Sequence, residues 1–369
     1  MVLHERQLLN GKPVGMDCLV SGTVPTGAGV SSSSAFVCCS ALAAMRANHC
    51  VLSKKDLTEI AITSERFVGV ESGGMDQSAS IFGMTSAALL IDFVPSLKAT
   101  PVLIPQTTPL PVFVIAHTLV TADKHVTAPV CYNLRVAETR CAAAVLGKKV
   151  LKQPDAWRDI MRLRGLMEAC AKDGLIPGGE GESGLIASLK GMLELVEAHL
   201  KKDGGYTREE IGRELGMTVD EVQQRYMSKY PIRADTFQLY RRAKHVFSEA
   251  LRVYQFKQGC MRPASGDVLK ELGRLMNESQ SSCRDLFDCS CPELDELTQL
   301  ARDAGALGSR LTGAGWGGCT VSLVPEPQVG SFMQTLKDKY YAKRDAPTNL
   351  DEVLFSSKPG RGGTILELS

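Results

Sequence analysis

The chain has 369 residues, 44% of them apolar and 22% charged, and a formal net charge of +1. This length suffices for two domains that share a cleft, and so balanced a charge excludes a broad basic surface for nucleic acid. Residues 1–16 are polar and lack the apolar segment of a secretory signal, and no apolar run approaches the roughly 18 residues that span a bilayer. We expect a cytoplasmic monomer without nucleic-acid or membrane partners.

The first element in the chain is a short strand, which we expect at Leu19 and Val20. It leads into the segment PTGAGVSSSSA of residues 25–35, ahead of a helix of small residues over 35–47. Alternate glycines let consecutive N–H groups converge, and the hydroxyls that follow stand at a helix N-terminus, where an anion is favoured. Runs of this composition also form flexible loops or ordinary caps. The compact helix behind the loop favours a phosphate site, although neither GxxxxGK[ST] nor GxGxxG occurs.

The second helix is expected to begin after Ser53, because Asp56 three positions later completes a variant of the capping box. Gly69 is placed to end this helix. Residues 73–77 then read Gly-Gly-Met-Asp-Gln. This sequence predicts a tight turn that presents the carboxylate of Asp76.

Strands and helices alternate over the rest of the chain without a fixed repeat, which predicts an α/β or α+β sandwich. Turn-bounded, β-rich runs predict strands at 87–93, 112–117, 319–324 and 364–368. Apolar periodicity predicts helices at 132–145, 237–256, 268–276, 292–304 and 331–341. The helix at 237–256 is expected to bury Leu239, Ala243, Val246, Ala250 and Val253. Glycines predict a surface loop at 177–184 and a tight turn at 312–318.

The chain contains twelve cysteines, which we expect to be reduced. Four of them lie on apolar helical patterns and are expected to act as small core residues: Cys38, Cys39, Cys141 and Cys170. Cys289 and Cys291 lack His partners or a second pair at zinc spacing, so we expect no metal there.

The chemistry-bearing segments together indicate phosphoryl transfer to an alcohol. That reaction needs a polyphosphate cradle, a metal held by hydroxyl and carboxylate oxygens, and an acid that orients or deprotonates the attacking hydroxyl. Asp76 suits the last role, and Glu65 on the preceding helix could reach the metal. An Asp in a glycine turn is, by itself, more often an Asx-turn or a cap. The late glycine turn, whose missing side chains would let backbone approach a ligand, completes the set.

Three segments in this order resemble the motifs of the GHMP small-molecule kinases. Residues 25–35 resemble the family's second motif, residues 73–77 the GGMDQ turn of its sugar kinases, and residues 309–319 (SRLTGAGWGGC) its third motif. Shorter segments at 132–136, 242–246 and 290–295 are similar to the eukaryotic branch that phosphorylates galactose or N-acetylgalactosamine. The resemblance implies an α+β fold, with a ribosomal-S5-like domain that contains a left-handed βαβ unit and a ferredoxin-like domain. We place these domains at residues 1–85 and 86–369.

The resemblance also implies ATP-dependent phosphorylation of the 1-hydroxyl of galactose, with ATP and Mg²⁺ as cofactors. The residues that it places on ATP are Gly27, Gly29, Ser31, Ser32, Ser33 and Lys124. Ser33 would also face Mg²⁺, together with Glu65, and Asp76 would be the base on the sugar hydroxyl. Lys124 falls where the family has an Asn-Lys pair, although Asp123 replaces the Asn. Tyr132 falls near the sugar pocket, and a packing aromatic is an equally good interpretation.

One part of the family pattern does not occur in this sequence. The family begins with a segment like GRVNLIGEHTDY, whose Arg assists the base and whose Glu, His and Asp hold the sugar, and no such segment precedes the phosphate loop here. We expect the sequence to be a fragment of a longer chain. Two alternatives stay open beside galactose phosphorylation: an N-acetylgalactosamine 1-kinase, and a non-catalytic sugar sensor or inactive shortened homologue.

Overall fold

A computed structural model describes residues 13–24, 30–67, 73–120, 129–228 and 231–367. Its helices are α1 (Ser32–Ala47), α2 (Lys54–Arg66), α3 (Met75–Phe82), α4 (Tyr132–Val150), α5 (Leu163–Lys172), α6 (Gly181–His199), α7 (Arg208–Leu215), α8 (Val219–Val222), α9 (Leu239–Cys260), α10 (Gly266–Ser282), α11 (Pro292–Asp303) and α12 (Val329–Lys339). Its strands are β1 (Ala87–Asp92), β2 (Lys98–Leu103), β3 (Pro111–His117), β4 (Gly308–Leu311), β5 (Cys319–Pro325) and β6 (Leu354–Ser357). The predicted α+β class is confirmed.

The first three helices share a small apolar core of their own. The Asp56 amide donates to Ser53 Oγ at 3.1 Å, and Ser53 Oγ donates to the Asp56 carboxylate at 2.6 Å, so the predicted cap of α2 is confirmed. Buried side chains from all three helices form the core: Cys38, Leu57, Ala61 and Ile81. α2 ends at Arg66, and Gly69, which was expected to end it, lies outside the described residues.

The prediction of a strand at Leu19 and Val20 is wrong. Residues 13–24 contain no strand, and Leu19 is fully exposed. A strand is stable only when its backbone groups pair with a neighbour, and within the described ranges no segment pairs with this one. The left-handed crossover requires a strand ahead of α1, and it therefore stays a prediction.

An antiparallel sheet of four strands, in the order β4-β5-β3-β6, combines β3 with three strands from the C-terminal part of the chain, and β1 and β2 form a separate hairpin. The register pairs Val112 with Val324 and His117 with Cys319. The strands predicted at 87–93, 112–117 and 319–324 are confirmed as β1, β3 and β5, with ends shifted by about one residue. The strand predicted at 364–368 is wrong over its described part, because 362 and 363 form backbone hydrogen bonds with the end of α3 and carry the chain away from the sheet.

Helices cover both faces of the sheet. On one face, Val114 of β3 clusters with Leu297 of α11 and Leu336 of α12. On the other, Leu323 of β5 clusters with Leu272 of α10. The helices predicted at 268–276, 292–304 and 331–341 are confirmed as α10, α11 and α12. Within the described residues, none of the helices is both long enough and apolar enough to cross a bilayer.

A separate helical core is formed chiefly by α4, α5, α6, α7 and α9. The helices predicted at 132–145 and 237–256 are confirmed as α4 and α9. Leu239 and Ala243 are fully buried in α9, and Val246 and Ala250 pack against the core. The chain enters this layer with α4, whose first residue is Tyr132.

Three predictions about individual positions are wrong. Val253 is 43% exposed, because the core-facing stripe of α9 continues through Phe247, Leu251 and Tyr254. Cys39 is exposed while its neighbour Cys38 is buried, since successive residues of a helix point about 100° apart. The loop expected at 177–184 is shorter, because α6 already begins at 181.

Candidate functional site

The serine-rich segment begins helix α1, as the sequence predicts. Ser31 is the N-cap, with φ 64° and ψ 42° in the left-handed region, and its carbonyl accepts a hydrogen bond from the Ala35 amide at 3.1 Å. Ser32 is half-buried and Ser33 is exposed in the first turn. The amides of this turn have no acceptor within the helix and form the positive end of its dipole, which suits a phosphate.

Asp76 lies in the first turn of α3, after a glycine that the backbone requires. Gly74 is the N-cap with φ 97°, and a Cβ there would collide with Cδ1 of Ile62. The Gly74 carbonyl accepts hydrogen bonds from the amide and the hydroxyl of Ser78, at 3.0 and 2.7 Å. Asp76 is half-buried, and its carboxylate stands at a helix N-terminus, where the dipole stabilises a negative charge.

Glu65 connects these two helix beginnings. The carboxylate is 4% exposed, and its Oε2 accepts a hydrogen bond from Ser34 Oγ at 2.9 Å and another from Gln77 Nε2. Burial, followed by the charge of Glu65, raises the pKa of the Cys38 thiol to about 12, and that thiol donates to the Gln77 carbonyl at 3.8 Å. The N-terminal turns of α1 and α3 are therefore held beside each other through a residue of α2.

Ser34 and Gln77 were not among the predicted site residues, although both lie inside the motifs at 25–35 and 73–77. A usable signal was the position of Glu65, which continues the apolar stripe of α2 after Leu57 and Ala61. A carboxylate at such a position must find hydrogen-bond donors on the neighbouring helices. The structure joins Glu65 to Ser34 rather than to the exposed Ser33, and the metal-binding role of Glu65 stays a prediction.

The third glycine-rich segment, residues 312–318 within the third motif, joins β4 to β5 and packs against the protein itself. A Cβ on Gly315 would collide with the Cys289 carbonyl, and one on Gly317 would lie 2.6 Å from the Val120 carbonyl. The Trp316 amide donates to the Cys289 carbonyl at 2.7 Å. At these two glycines, the missing side chains thus admit the protein's own backbone. The close approach at Gly317 also holds Val120 in place. Val120 is the last described residue before the segment that contains Lys124.

Tyr132 is the first residue of α4 and is 48% exposed, and one turn later Arg135 is buried. Arg135 Nη1 donates to Glu138 at 2.8 Å, and its Nη2 donates to the Asp288 carboxylate at 2.6 Å. The Asp288 carbonyl accepts a hydrogen bond from the Trp316 indole at 3.1 Å, and the Arg135 guanidinium lies 5.9 Å from the ring centroid. The helix that begins with Tyr132 is therefore bound to the third glycine-rich segment.

A second arginine completes this charge network. Arg242 Nε donates to Glu138 Oε2 at 2.7 Å, and its Nη1 donates to the Leu286 carbonyl at 2.6 Å. Burial lowers the pKa of Arg242, with Glu138 acting in the opposite direction. Because Glu138 is only 1% exposed and Arg242 only 3%, each charge depends on the other for its solvation.

Three of the predicted site residues, Gly27, Gly29 and Lys124, lie outside the described residues. The others fall into two places: Ser31, Ser32, Ser33, Glu65 and Asp76 lie on the first three helices, whereas Tyr132 begins α4. The structure brings the first place together through Glu65. It connects the helix that begins with Tyr132 to the third motif through Arg135.

Two parts of the chain match known protein families. Residues 2–84 match the family described as GHMP kinases N terminal domain, and residues 265–342 match GHMP kinases C terminal. The fold and these matches define a kinase of the GHMP family, as the motif resemblance implies.

Comparison with individual relatives shows which GHMP kinases this chain resembles. Galactokinase of Dictyostelium discoideum is 42% identical over 377 residues, which cover 96% of this chain and 71% of that protein. Galactokinase of Saccharomyces cerevisiae is 39% identical over 387 residues, with the same coverage of 96% and 71%. The crystal structure of Lactococcus lactis galactokinase complexed with galactose superposes with a TM-score of 0.65 at 23% identity, covering 99% of this chain and 74% of that one. The chain belongs to the galactokinases of the GHMP kinase family.

Proposed function

We propose that the chain transfers the γ-phosphoryl group of ATP to the 1-hydroxyl of galactose, giving galactose 1-phosphate. The observation that carries this proposal is the buried hydrogen-bonded link from Ser34 through Glu65 to Gln77. These two partners are direct sequence neighbours of Ser33 and Asp76. A phosphate-binding helix N-terminus and a carboxylate are therefore held side by side, which phosphoryl transfer requires.

The first turn of α1 would bind the polyphosphate. The amides of Ser31, Ser32 and Ser33 point out of the helix N-terminus, and the hydroxyls add further donors. Gly27, Gly29 and Lys124 would complete the contacts with ATP. Because the amides at the start of α1 are fixed by the helix before ATP arrives, little reorganisation of these donors is needed when charge develops on the transferred group.

The oxygen donors at this end of α1 fit Mg²⁺, which prefers hydroxyl, carboxylate and phosphate oxygens. The exposed hydroxyl of Ser33 would be a direct ligand. Glu65 would act mainly through its negative charge, because its Oε2 already accepts two hydrogen bonds. When bound, Mg²⁺ neutralises charge on the phosphates as the phosphoryl group leaves.

Asp76 would orient the sugar 1-hydroxyl and accept its proton. Asp76 lies in the first turn of a short helix, so its backbone position is set by the helix and by the turn at Gly74 rather than by a flexible loop. Tyr132, about half exposed at the start of α4, would contact the sugar. We also propose a division into domains at residues 1–85 and 86–369, a monomeric state and a cytoplasmic location.

The test is ADP release by the full chain with ATP, Mg²⁺ and galactose. Wild type is expected to turn over, and Asp76→Asn to lose at least about 100-fold in kcat, because the amide cannot accept the proton. Ser40→Ala, half-buried on the same helix as Ser33, is the matched control for an ordinary substitution in this bundle. Equal turnover by wild type and Asp76→Asn would remove Asp76 from the mechanism.

The two alternatives are distinguished in the same experiment. N-acetylgalactosamine replaces galactose in a parallel assay, and a higher kcat/KM with it would reassign the substrate. Calorimetry that detects binding of ATP and galactose without ADP release would instead indicate a non-catalytic sugar sensor.

A further inference from the structure

The last described residues of the chain leave the sheet and return to the N-terminal helices. We call residues 358–367 the C-terminal strap. The Gly362 amide donates to the Gly83 carbonyl at 2.8 Å, and the Gly363 amide donates to the Ser80 carbonyl at 2.8 Å. Farther along, Glu367 accepts a hydrogen bond from Arg46 Nε of α1 at 2.8 Å. The strap therefore contacts both α1 and the end of α3.

Two glycines of the strap are required by the closeness of this contact. A Cβ on Gly362 would collide with the carbonyl of Ile81, and one on Gly363 would lie 2.7 Å from Cδ1 of Leu42. A third glycine, Gly360, has nothing within 4 Å of the position of a Cβ. The backbone of the strap thus lies directly against the backbone of α3, which any side chain at 362 would prevent.

The strap contacts the far halves of the two helices that begin at the candidate site. α1 starts with the serines that we propose bind phosphate, and we call this the phosphate end of α1. The same helix meets the strap at Leu42 and Arg46. α3 starts beside Asp76 and meets it at Ser80 and Ile81. A helix of eight residues is a rigid rod about 12 Å long, so holding one end of α3 against α1 restrains the other end as well.

We propose that the C-terminal strap is a positioning element for phosphoryl transfer, which sets the distance between the phosphate end of α1 and the carboxylate of Asp76. This inference rests on the proposed function. The exposed Arg46–Glu367 pair contributes little to the restraint, so the backbone contacts at 362 and 363 carry it. A displacement of about 1 Å between reacting groups lowers a rate on the order of 100-fold, which makes even a small shift of α3 measurable.

The test compares three glycine variants of the full chain. Gly362→Ala forces the strap away from the α3 backbone, Gly363→Ala displaces only the flexible end of Leu42, and Gly360→Ala enters open space. For each variant, kcat and KM are measured with ATP and galactose. Hydrogen–deuterium exchange is followed in peptides that cover 75–83 and, as an internal reference, 319–325.

We expect Gly362→Ala to lower kcat about 10- to 100-fold while KM for ATP changes by less than about threefold. Exchange over 75–83 should accelerate in the same variant and stay unchanged over 319–325. Gly363→Ala should show the same pattern more weakly, and Gly360→Ala should behave as wild type. If Gly362→Ala fails to fold, Gly363→Ala decides the question.

Wild-type kcat and exchange in both Gly362→Ala and Gly363→Ala would overturn the inference. So would a loss of kcat accompanied by equal acceleration of exchange in all peptides, since that indicates general destabilisation. If wild type itself does not phosphorylate galactose, the proposed function fails. The exchange over 75–83 then still decides whether the strap restrains α3.

Discussion

Ser34 of α1 and Glu65 of α2 lie 31 residues apart in sequence and share a buried hydrogen bond of 2.9 Å. A carboxylate removed from water is strongly destabilising unless it accepts hydrogen bonds. Glu65 receives them from two helices, because Gln77 of α3 donates to the same oxygen. The buried charge therefore favours one arrangement of the three helices, and that arrangement places the phosphate end of α1 beside Asp76.

Removing the hydroxyl from this link should destabilise the protein. We expect Ser34→Ala to lower the free energy of unfolding by about 1.5–3 kcal/mol, because a hydrogen bond to a buried charged acceptor is lost. Urea unfolding monitored by circular dichroism measures the change. Ser40→Ala on the same helix should stay within about 0.5 kcal/mol of wild type. Equal stability of the two variants would show that the Ser34–Glu65 bond does not hold the helices.

The turn before Asp76 should tolerate no side chain at its second glycine. Gly74→Ala places a methyl group against Ile62 at φ 97°, and we expect a loss of about 1–3 kcal/mol in stability with a fall in kcat. Gly73→Ala is the matched control, since nothing lies within 4 Å of its Cβ position. A Gly74→Ala variant as stable and as active as Gly73→Ala would contradict the placement of this turn.

Stability should fall in mild acid because of His245. This ring stacks on Phe287 with centroids 4.4 Å apart and its Nδ1 lies 2.9 Å from Ser282 Oγ. Burial lowers the pKa of His245 to about 4, below the unfolded value of about 6.5. Between these two pKa values the unfolded chain binds more protons, so stability decreases as the pH falls through this window.

The expected size of this effect is about 2 kcal/mol between pH 7.5 and pH 5. Urea unfolding at both pH values, in wild type and in His245→Gln, measures it as the difference between the two pH dependences. His199→Gln, at the exposed end of α6, controls for an unrelated histidine. An unchanged pH dependence in His245→Gln would assign the acid sensitivity to other groups.

Removing Arg135 should be among the most damaging single substitutions outside the kinase site. Arg135→Met leaves Glu138 and Asp288 without one of their charged partners, and we expect a loss of about 3–5 kcal/mol. Arg135→Lys keeps the charge but cannot reach both carboxylates as a fork, so its loss should be intermediate. Thermal unfolding of the two variants measures the order. Equal melting temperatures for Arg135→Met and wild type would show that the network is not needed.

Much of the fold follows from local sequence patterns. The cap at Ser53 and the strands β1, β3 and β5 were predictable because capping and alternation depend on neighbouring residues. The strand expected at Leu19 and the one expected at 364–368 failed for a shared reason. An apolar run becomes a strand only when another strand pairs with it, and pairing depends on distant parts of the chain.

The candidate site was predictable in its residue types and not in its connections. Asp76 and the serines stood out because glycine turns and helix N-termini have recognisable sequences. The bond from Ser34 to Glu65 joins different helices, and no spacing rule relates residues that meet only after packing. The contact of the C-terminal strap with α3 was not predicted for the same reason, although the glycines at 362 and 363 are typical of a close backbone contact.

The most direct test of the central claim is the position of the phosphate on the product. The full chain is incubated with ATP, Mg²⁺ and galactose labelled with ¹³C at carbon 1, and the product is examined by ¹³C and ³¹P NMR. We predict a phosphoester whose phosphorus couples to carbon 1 with wild type, and no such signal above background with Asp76→Asn. A phosphate on another carbon, or equal product from both proteins, would contradict the account.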